Sequence, residues 1–179
     1  MTRAQGRLRP FEAEAVLQTF SLQSELHRHG DQLEICYRLL GPIEAVVLPD
    51  LAATPSRLDA LWQHTCFECF FAIEAQRSYR EVNLSPSGDW NIYRFADYRQ
   101  GLEADQAFEP LAISSHRGAE GFAMDVRLDL ARLIGADQTL EIAVAAVIKL
   151  RSGVLSHWSL VHPAPAPDFH HRGGFVLRL

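Results

Sequence analysis

Glu68 lies in the stretch "TCFECFF", between Cys66, Phe67, Cys69 and Phe70. Every neighbour argues for burial, and a carboxylate taken out of water must find hydrogen-bond donors or keep a proton. A structural role would pair it with an arginine such as Arg94 or Arg99, or with Asn83 on an adjacent strand. A functional role would have it bond a ligand. A second chemical set occupies "YREVNLSPSGDWNIYRF", residues 79–95. Alternation places Tyr79, Glu81, Asn83 and Ser85 on one face and Arg80, Val82 and Leu84 on the other. The mostly apolar set suits the core, which leaves a tyrosine and three hydrogen-bonding groups on the opposite surface, with Trp90, Tyr93, Arg94, Tyr98 and Arg99 close in sequence. Aromatic rings beside amide and carboxylate groups suit a sugar, whose C–H patches stack on rings while its hydroxyls need donors and acceptors. The same residues would also serve as core or cross-strand pairs.

Other reactive residue types point to less. Cys66 and Cys69 have the spacing of a redox pair or half a zinc site, but their phenylalanine-rich surroundings read as a strand, where residues three apart face opposite ways. We read them as two core thiols. With Cys36 they make an odd number of cysteines, which suggests reduced thiols. Of eight histidines, four fall late, at His157, His162, His170 and His171. Imidazoles can ligate a metal or a haem iron. No spacing here matches a zinc pattern, and a haem or metal reading would rest on His162 and His170 with Met124, the only internal methionine. No cofactor is expected. Nucleophile-elbow, phosphate-loop and dinucleotide patterns are all missing, so catalysis is not expected either.

The elements that must position these groups are strands. "DQLEICYRLL" puts Leu33, Ile35, Tyr37 and Leu39 on one face and stops at Gly41-Pro42. "EAVVLP", "CFECFFAIEA", "YREVNLS", "WNIYRF", "PLAISSH", "GFAMDVRLDL", "LEIAVAAVIKL", "VLSHWSL" and "GGFVLRL" follow as strand candidates, while "ATPSRLDALW" and "DLARLIG" suit turns or short helical turns. The expected fold is an all-β, single-domain antiparallel β-sandwich over 1–179. It has about ten strands and one or two short helical turns, and 1–14 form a less ordered N-terminal extension. "PAPAPD" (Pro163 to Asp168) reads as an extended loop.

Lys+Arg 17 against Asp+Glu 22 gives a net charge of −5 with scattered basic residues, which argues against a nucleic-acid partner. No apolar run has the length of a signal or a membrane span, so the sequence reading is a cytoplasmic protein without membrane contact. Oligomeric state is left open.

Taken together, "LWQHTCFECFF", "YREVNLSPSGDWNIYRFADYRQGL", "VIKLRSG", "HWSLVHP" and "PDFHHRGGFVLRL" resemble bacterial DOMON-like domain proteins. That group is related to the DOMON and family 9 carbohydrate-binding-module sandwiches. The resemblance runs from about Leu33 to the C-terminus and implies a sandwich that binds sugar or haem, with sugar held between aromatic rings. The three tryptophans, Trp62, Trp90 and Trp158, are the candidates for such a clamp. The reading is therefore a non-catalytic domain that binds a carbohydrate or sugar-containing metabolite. Trp62, Trp90, Tyr93 and Trp158 would be its stacking surfaces, and Glu68, Asn83, Arg94 and Arg99 its polar partners. The rival readings are a haem or metal protein and a structural or protein-interaction module.

Overall fold

The computed structural model describes residues 1–108, 110–135 and 137–179. The strands are β1 (Thr2–Pro10), β2 (Ser21–His29), β3 (Gln32–Leu40), β4 (Cys66–Ile73), β5 (Tyr79–Leu84) and β6 (Trp90–Phe95). They continue with β7 (Glu103–Ala104), β8 (Ala112–Arg117), β9 (Gly121–Asp129), β10 (Leu140–Lys149), β11 (Leu155–Ser159) and β12 (Leu177–Arg178). Four short 3-10 turns occur among the described residues, at Ala15–Thr19, Ile43–Ala45, Leu61–Gln63 and Arg172–Gly174, and no α-helix is found there.

All strands join one 12-stranded antiparallel sheet in the order β7-β6-β5-β4-β10-β11-β1-β2-β3-β9-β8, with β12 on the β11 side of β10. The sheet curls strongly, so that a front leaf (β7-β6-β5-β4-β10-β11) faces a rear leaf (β1-β2-β3-β9-β8) across a shared core. β1 is the hinge: Thr2 to Leu8 pair with β2, and Arg9 and Pro10 pair with Ser159 and Trp158 of β11. At Gly6 the chain passes so close to the front leaf that a Cβ would sit 2.4 Å from the Leu160 side chain, so only glycine fits without displacing it.

Period-two patterning explains the shared core. Leu33, Ile35, Tyr37 and Leu39 of β3 point inward and are fully buried, as are their neighbours Leu22 and Leu26 of β2 and Met124 and Leu128 of β9. The front leaf answers with Phe67, Cys69 and Phe71 of β4, Val82 and Leu84 of β5, Trp90 and Ile92 of β6, and alternate residues of β10 from Leu140 to Ile148. Between β5 and β6, Gly88 takes a φ of 93°, which its missing Cβ permits, and the Asp89 carboxylate ties the turn to the Ser56 backbone N–H.

Several elements differ from the sequence expectation. The N-terminal residues are not a loose extension, because Thr2–Pro10 forms the strand that joins the leaves. "EAVVLP" contributes a 3-10 turn and a single bridge from Val46 to Leu150 rather than a strand. "GGFVLRL" is mostly turn, with strand pairing limited to Leu177 and Arg178.

Candidate functional site

The outer face of the front leaf is also buried, which an ordinary two-layer sandwich does not require. Phe70 and Ala72 of β4, Tyr79 of β5, Tyr93 and Phe95 of β6, and Ala143 and Ala145 of β10 form a second apolar cluster there with Phe175. Two segments roof it. The Leu61–Gln63 turn packs on β4 and β5, and the chain from Pro163 to Phe175 crosses over Phe70, Tyr79 and Phe95 through Phe169, His170 and Phe175. Between the two segments a cleft of about 370 Å³ stays open. Its floor is Glu68, Phe70, Glu81, Phe95 and Val147, and its walls are Trp62, Arg99, Leu102, His157, Pro167, Phe169 and His170.

Strand register sets the floor. Glu68 stands opposite Asn83 on one side and Ala145 on the other, and Phe70 stands between Glu81 and Ala143. Small alanines on β10 leave room beside the glutamate and the phenylalanine. The Asn83 amide, directly across from Glu68, does not bond it but donates to Glu81 Oε1 at 2.8 Å. Glu68 Oε1 is buried and has no hydrogen-bond partner. Burial first, and then the neighbouring Glu81 charge, push the Glu68 carboxyl well above the usual range. Burial also raises Glu81, to about 7, against the opposing pull of the Asn83 bond and the Arg99 charge. Two carboxyls of raised proton affinity thus share one floor.

The walls are held by a hydrogen-bond chain. The Arg99 backbone, left-handed at φ 53°, donates its N–H to the Tyr79 hydroxyl at 3.1 Å, and that hydroxyl meets His170 Nδ1 at 2.8 Å. Nε2 faces Glu81 Oε2 at 3.7 Å, which favours the tautomer with the His170 N–H on Nε2, and in that tautomer the Tyr79 hydroxyl donates to Nδ1. Burial, and then the Arg99 charge, lower His170 to about 4, so it is neutral near pH 7. Asp168 accepts from the Arg99 guanidinium (2.9 Å) and the Tyr98 hydroxyl (2.7 Å), which clamps the C-terminal segment to the loop after β6. Burial would raise Asp168, but those two bonds outweigh it and hold the carboxyl below its ordinary value.

Comparison with known proteins yields fold likeness alone. No protein-family model and no curated protein sequence matches the chain. Two solved structures share the architecture. One is a Bacteroides uniformis protein provisionally assigned as carbohydrate-binding, with a TM-score of 0.65 at 14% identity over 94% of this chain and 84% of that one. The other is a family 9 carbohydrate-binding module from Caldicellulosiruptor kristjanssonii, solved with cellotriose, with a TM-score of 0.54 at 14% identity over 90% of this chain and 74% of that one.

Against this fold the sequence candidates sort clearly. Trp62, Glu68 and Arg99 line the cleft. Asn83 lies on the same face and orients Glu81. Tyr93 supports Trp62 edge-on at 5.8 Å and donates its hydroxyl to Asp59. Trp90 and Trp158 do not join Trp62, because they fall in the opposite phase of their strands and lie in the shared core. There Trp90 packs under the Arg57 guanidinium and Trp158 donates to the Ser156 hydroxyl. A three-indole clamp is therefore not formed. Arg94 points out to an exposed ion pair with Glu103.

The haem and metal candidates are scattered. Met124 is sealed in the shared core, His162 bonds the Arg9 carbonyl beside Phe11, and His170 is in the cleft on the far side of the front leaf. Among the described residues no group of three or more His, Cys, Asp or Glu is placed to hold a metal. The cleft also contains groups that the candidate set lacked, chiefly Glu81, Phe95, His157 and Phe169. Glu81 was within reach, since it shares the phase of Asn83. Phe169 carried no signal, because a proline-rich loop has no period from which to read its facing.

Proposed function

We propose that this chain is a non-catalytic domain that binds a carbohydrate or sugar-containing metabolite in the front-leaf cleft. One observation carries the reading: Glu68, a buried acid with one carboxyl oxygen left unpartnered, lies in the floor of a cleft lined by the rings of Trp62, Phe95 and Phe169. Ligand hydroxyls would satisfy that oxygen and the Glu81 carboxyl, and the rings would take the C–H faces of the sugar. The likeness in fold to a family 9 module solved with cellotriose supports the same ligand class. The reading includes the DOMON-like membership suggested by the sequence motifs, and a cytoplasmic setting, for which the three free thiols speak.

Isothermal calorimetry against neutral sugars, amino sugars and nucleotide sugars tests it. Saturable heat with at least one sugar, lost in Trp62→Ala and unaccompanied by turnover of the sugar, is the expected result. A folded sample that gives no heat with any of them ends the reading.

A further inference from the structure

The charges around the cleft do not balance. Glu68 and Glu81 stand on its floor, and each cation on its walls is already engaged. The Arg99 guanidinium is bound to Asp168 at 2.9 Å, and His157 meets Glu12 at 2.7 Å. His170 accepts the Tyr79 proton on Nδ1 and turns only a neutral N–H toward Glu81. Two acidic groups therefore face the cavity with no unengaged cation beside them among the described residues, and one of them, Glu68, is 2% exposed with an oxygen that bonds nothing. Around them are the rings of Phe70, Phe95, Phe169 and Trp62. Ring faces carry partial negative charge and attract ammonium groups, most strongly where water is excluded.

We propose that the cleft selects a sugar bearing an amine, whose ammonium lies against the Glu68 and Glu81 carboxyls while its ring stacks on Trp62. This rests on the reading that the cleft takes a sugar. Without a ligand the two carboxyls relieve their burial by retaining protons; a bound ammonium takes over that role and donates to the Glu68 and Glu81 carboxylates. An anionic ligand would have no such proton to replace and would push both carboxyls further toward their protonated forms. A metal ion would want further acidic ligands, and none are grouped there among the described residues.

Affinity for the amine must then depend on pH. The groups facing Glu81 are Cys66 and Glu68 from β4, Tyr79 and Asn83 from β5, Tyr93 from β6, Arg99 from the following loop, and His170 from the C-terminal segment. Binding expels a proton from the floor, so affinity rises about tenfold between about pH 5.5 and pH 7. Glu81→Gln removes that slope.

The test is calorimetry at about pH 7 with glucosamine, N-acetylglucosamine, glucose and cyclohexylamine, on the whole chain and on Glu68→Gln and Glu81→Gln, each first shown to be folded by its thermal melt. Glucosamine should bind at least roughly thirtyfold tighter than glucose or N-acetylglucosamine, the low end for a lost buried charge pair, and either glutamine variant should level the three. Glucose or N-acetylglucosamine binding as tightly as glucosamine overturns the amine preference and leaves the sugar reading standing. Cyclohexylamine binding as tightly as glucosamine removes the sugar from both proposals. No binding by any of the four overturns the amine site.

Discussion

The two leaves of the sheet share one core but solve different problems on their outer faces. β3 in the rear leaf has fully buried Leu33, Ile35, Tyr37 and Leu39 alternating with partly or fully exposed Glu34, Cys36, Arg38 and Leu40, as expected where one face meets water. β4 in the front leaf is buried at every position but its last. Both outer faces carry a hollow of similar size, about 350 Å³ on the rear leaf and about 370 Å³ on the front. The rear hollow is bounded by Gln5, Arg7, Gln23, Ser24, Glu25 and Arg38; Glu25 there is satisfied by Arg3 and His27, and the one buried polar atom of that lining without a partner is the neutral Ser24 hydroxyl. The front cleft instead holds polar groups sealed under a roof and surrounded by rings. Volume does not separate the two hollows, and neither does a buried polar atom without a partner; what separates them is that the front one is an acid enclosed by rings.

If the front leaf's outer face is a second core, truncating it should cost as much as truncating the first. Phe70→Ala should lose about 4 kcal/mol of stability, as for a buried aromatic elsewhere. Gln23→Ala on the rear leaf should change stability by under about 0.5 kcal/mol. Urea denaturation of the two variants measures the contrast, and equal small losses would erase it.

The next largest effect is one of pH. Glu81 rises from 4.5 to about 7 on folding, so the folded state holds the extra proton in that window and stability falls as pH rises through it. Glu68, raised in the same direction, adds to the fall. His170 drops from 6.5 to about 4, so there the unfolded state holds the extra proton and stability rises with pH between those values. The two trends oppose each other up to about pH 6.5, and above it the carboxyls act alone and stability falls. In a Glu68→Gln, Glu81→Gln double variant only the His170 rise remains, worth about 3 kcal/mol between pH 4 and 6.5. Urea midpoints across pH that run parallel in both proteins would remove the buried acid pair from the account.

The inner faces were legible from the sequence because alternation is a local signal. Leu33, Ile35, Tyr37 and Leu39 declare β3, and Glu68 announces itself by its neighbours. β1 was illegible for a physical reason: of its inward positions Ala4, Gly6 and Leu8, only Leu8 is strongly hydrophobic, and the two small residues that let the leaves approach carry little signal of alternation. The tryptophans misled through residue type. Trp90 shares its phase with Ile92, and phase decided its fate, placing it in the shared core. The roof over the cleft depends on Phe169 and His170 meeting Phe70, Tyr79 and Phe95, contacts between distant parts of the chain that no periodicity encodes.

A smaller effect concerns how that roof is held down. Tyr79→Phe keeps the ring stacked on Phe95 at 4.7 Å but strips the hydroxyl that joins the Arg99 N–H to His170. Two partly buried groups lose a partner, for a cost of about 2 kcal/mol. Hydrogen exchange should show the loss as faster opening of the Pro163 to Phe175 segment, with β2 and β3 unchanged. Uniform acceleration across both leaves would mean that the roof is not a separate unit.

Trp62 should show the smallest effect on stability and the clearest effect on function. It is 38% exposed and rests on a turn entered through left-handed Ala60, with its edge against Tyr93. Because over a third of the indole already meets water and its turn can relax, Trp62→Ala should cost about 1.5 kcal/mol, well below Phe70→Ala. The same change removes the one tryptophan that borders the cleft, while Trp90 and Trp158 remain in the shared core. Ligand-induced changes in tryptophan emission should therefore vanish in Trp62→Ala and Trp62→Phe and persist in Trp158→Phe and Trp90→Phe, where the indole at 62 is kept. Emission that still responds to sugar in Trp62→Phe would move the binding event off the front leaf. The contrast between the two outer faces would then have to be drawn at the rear hollow instead.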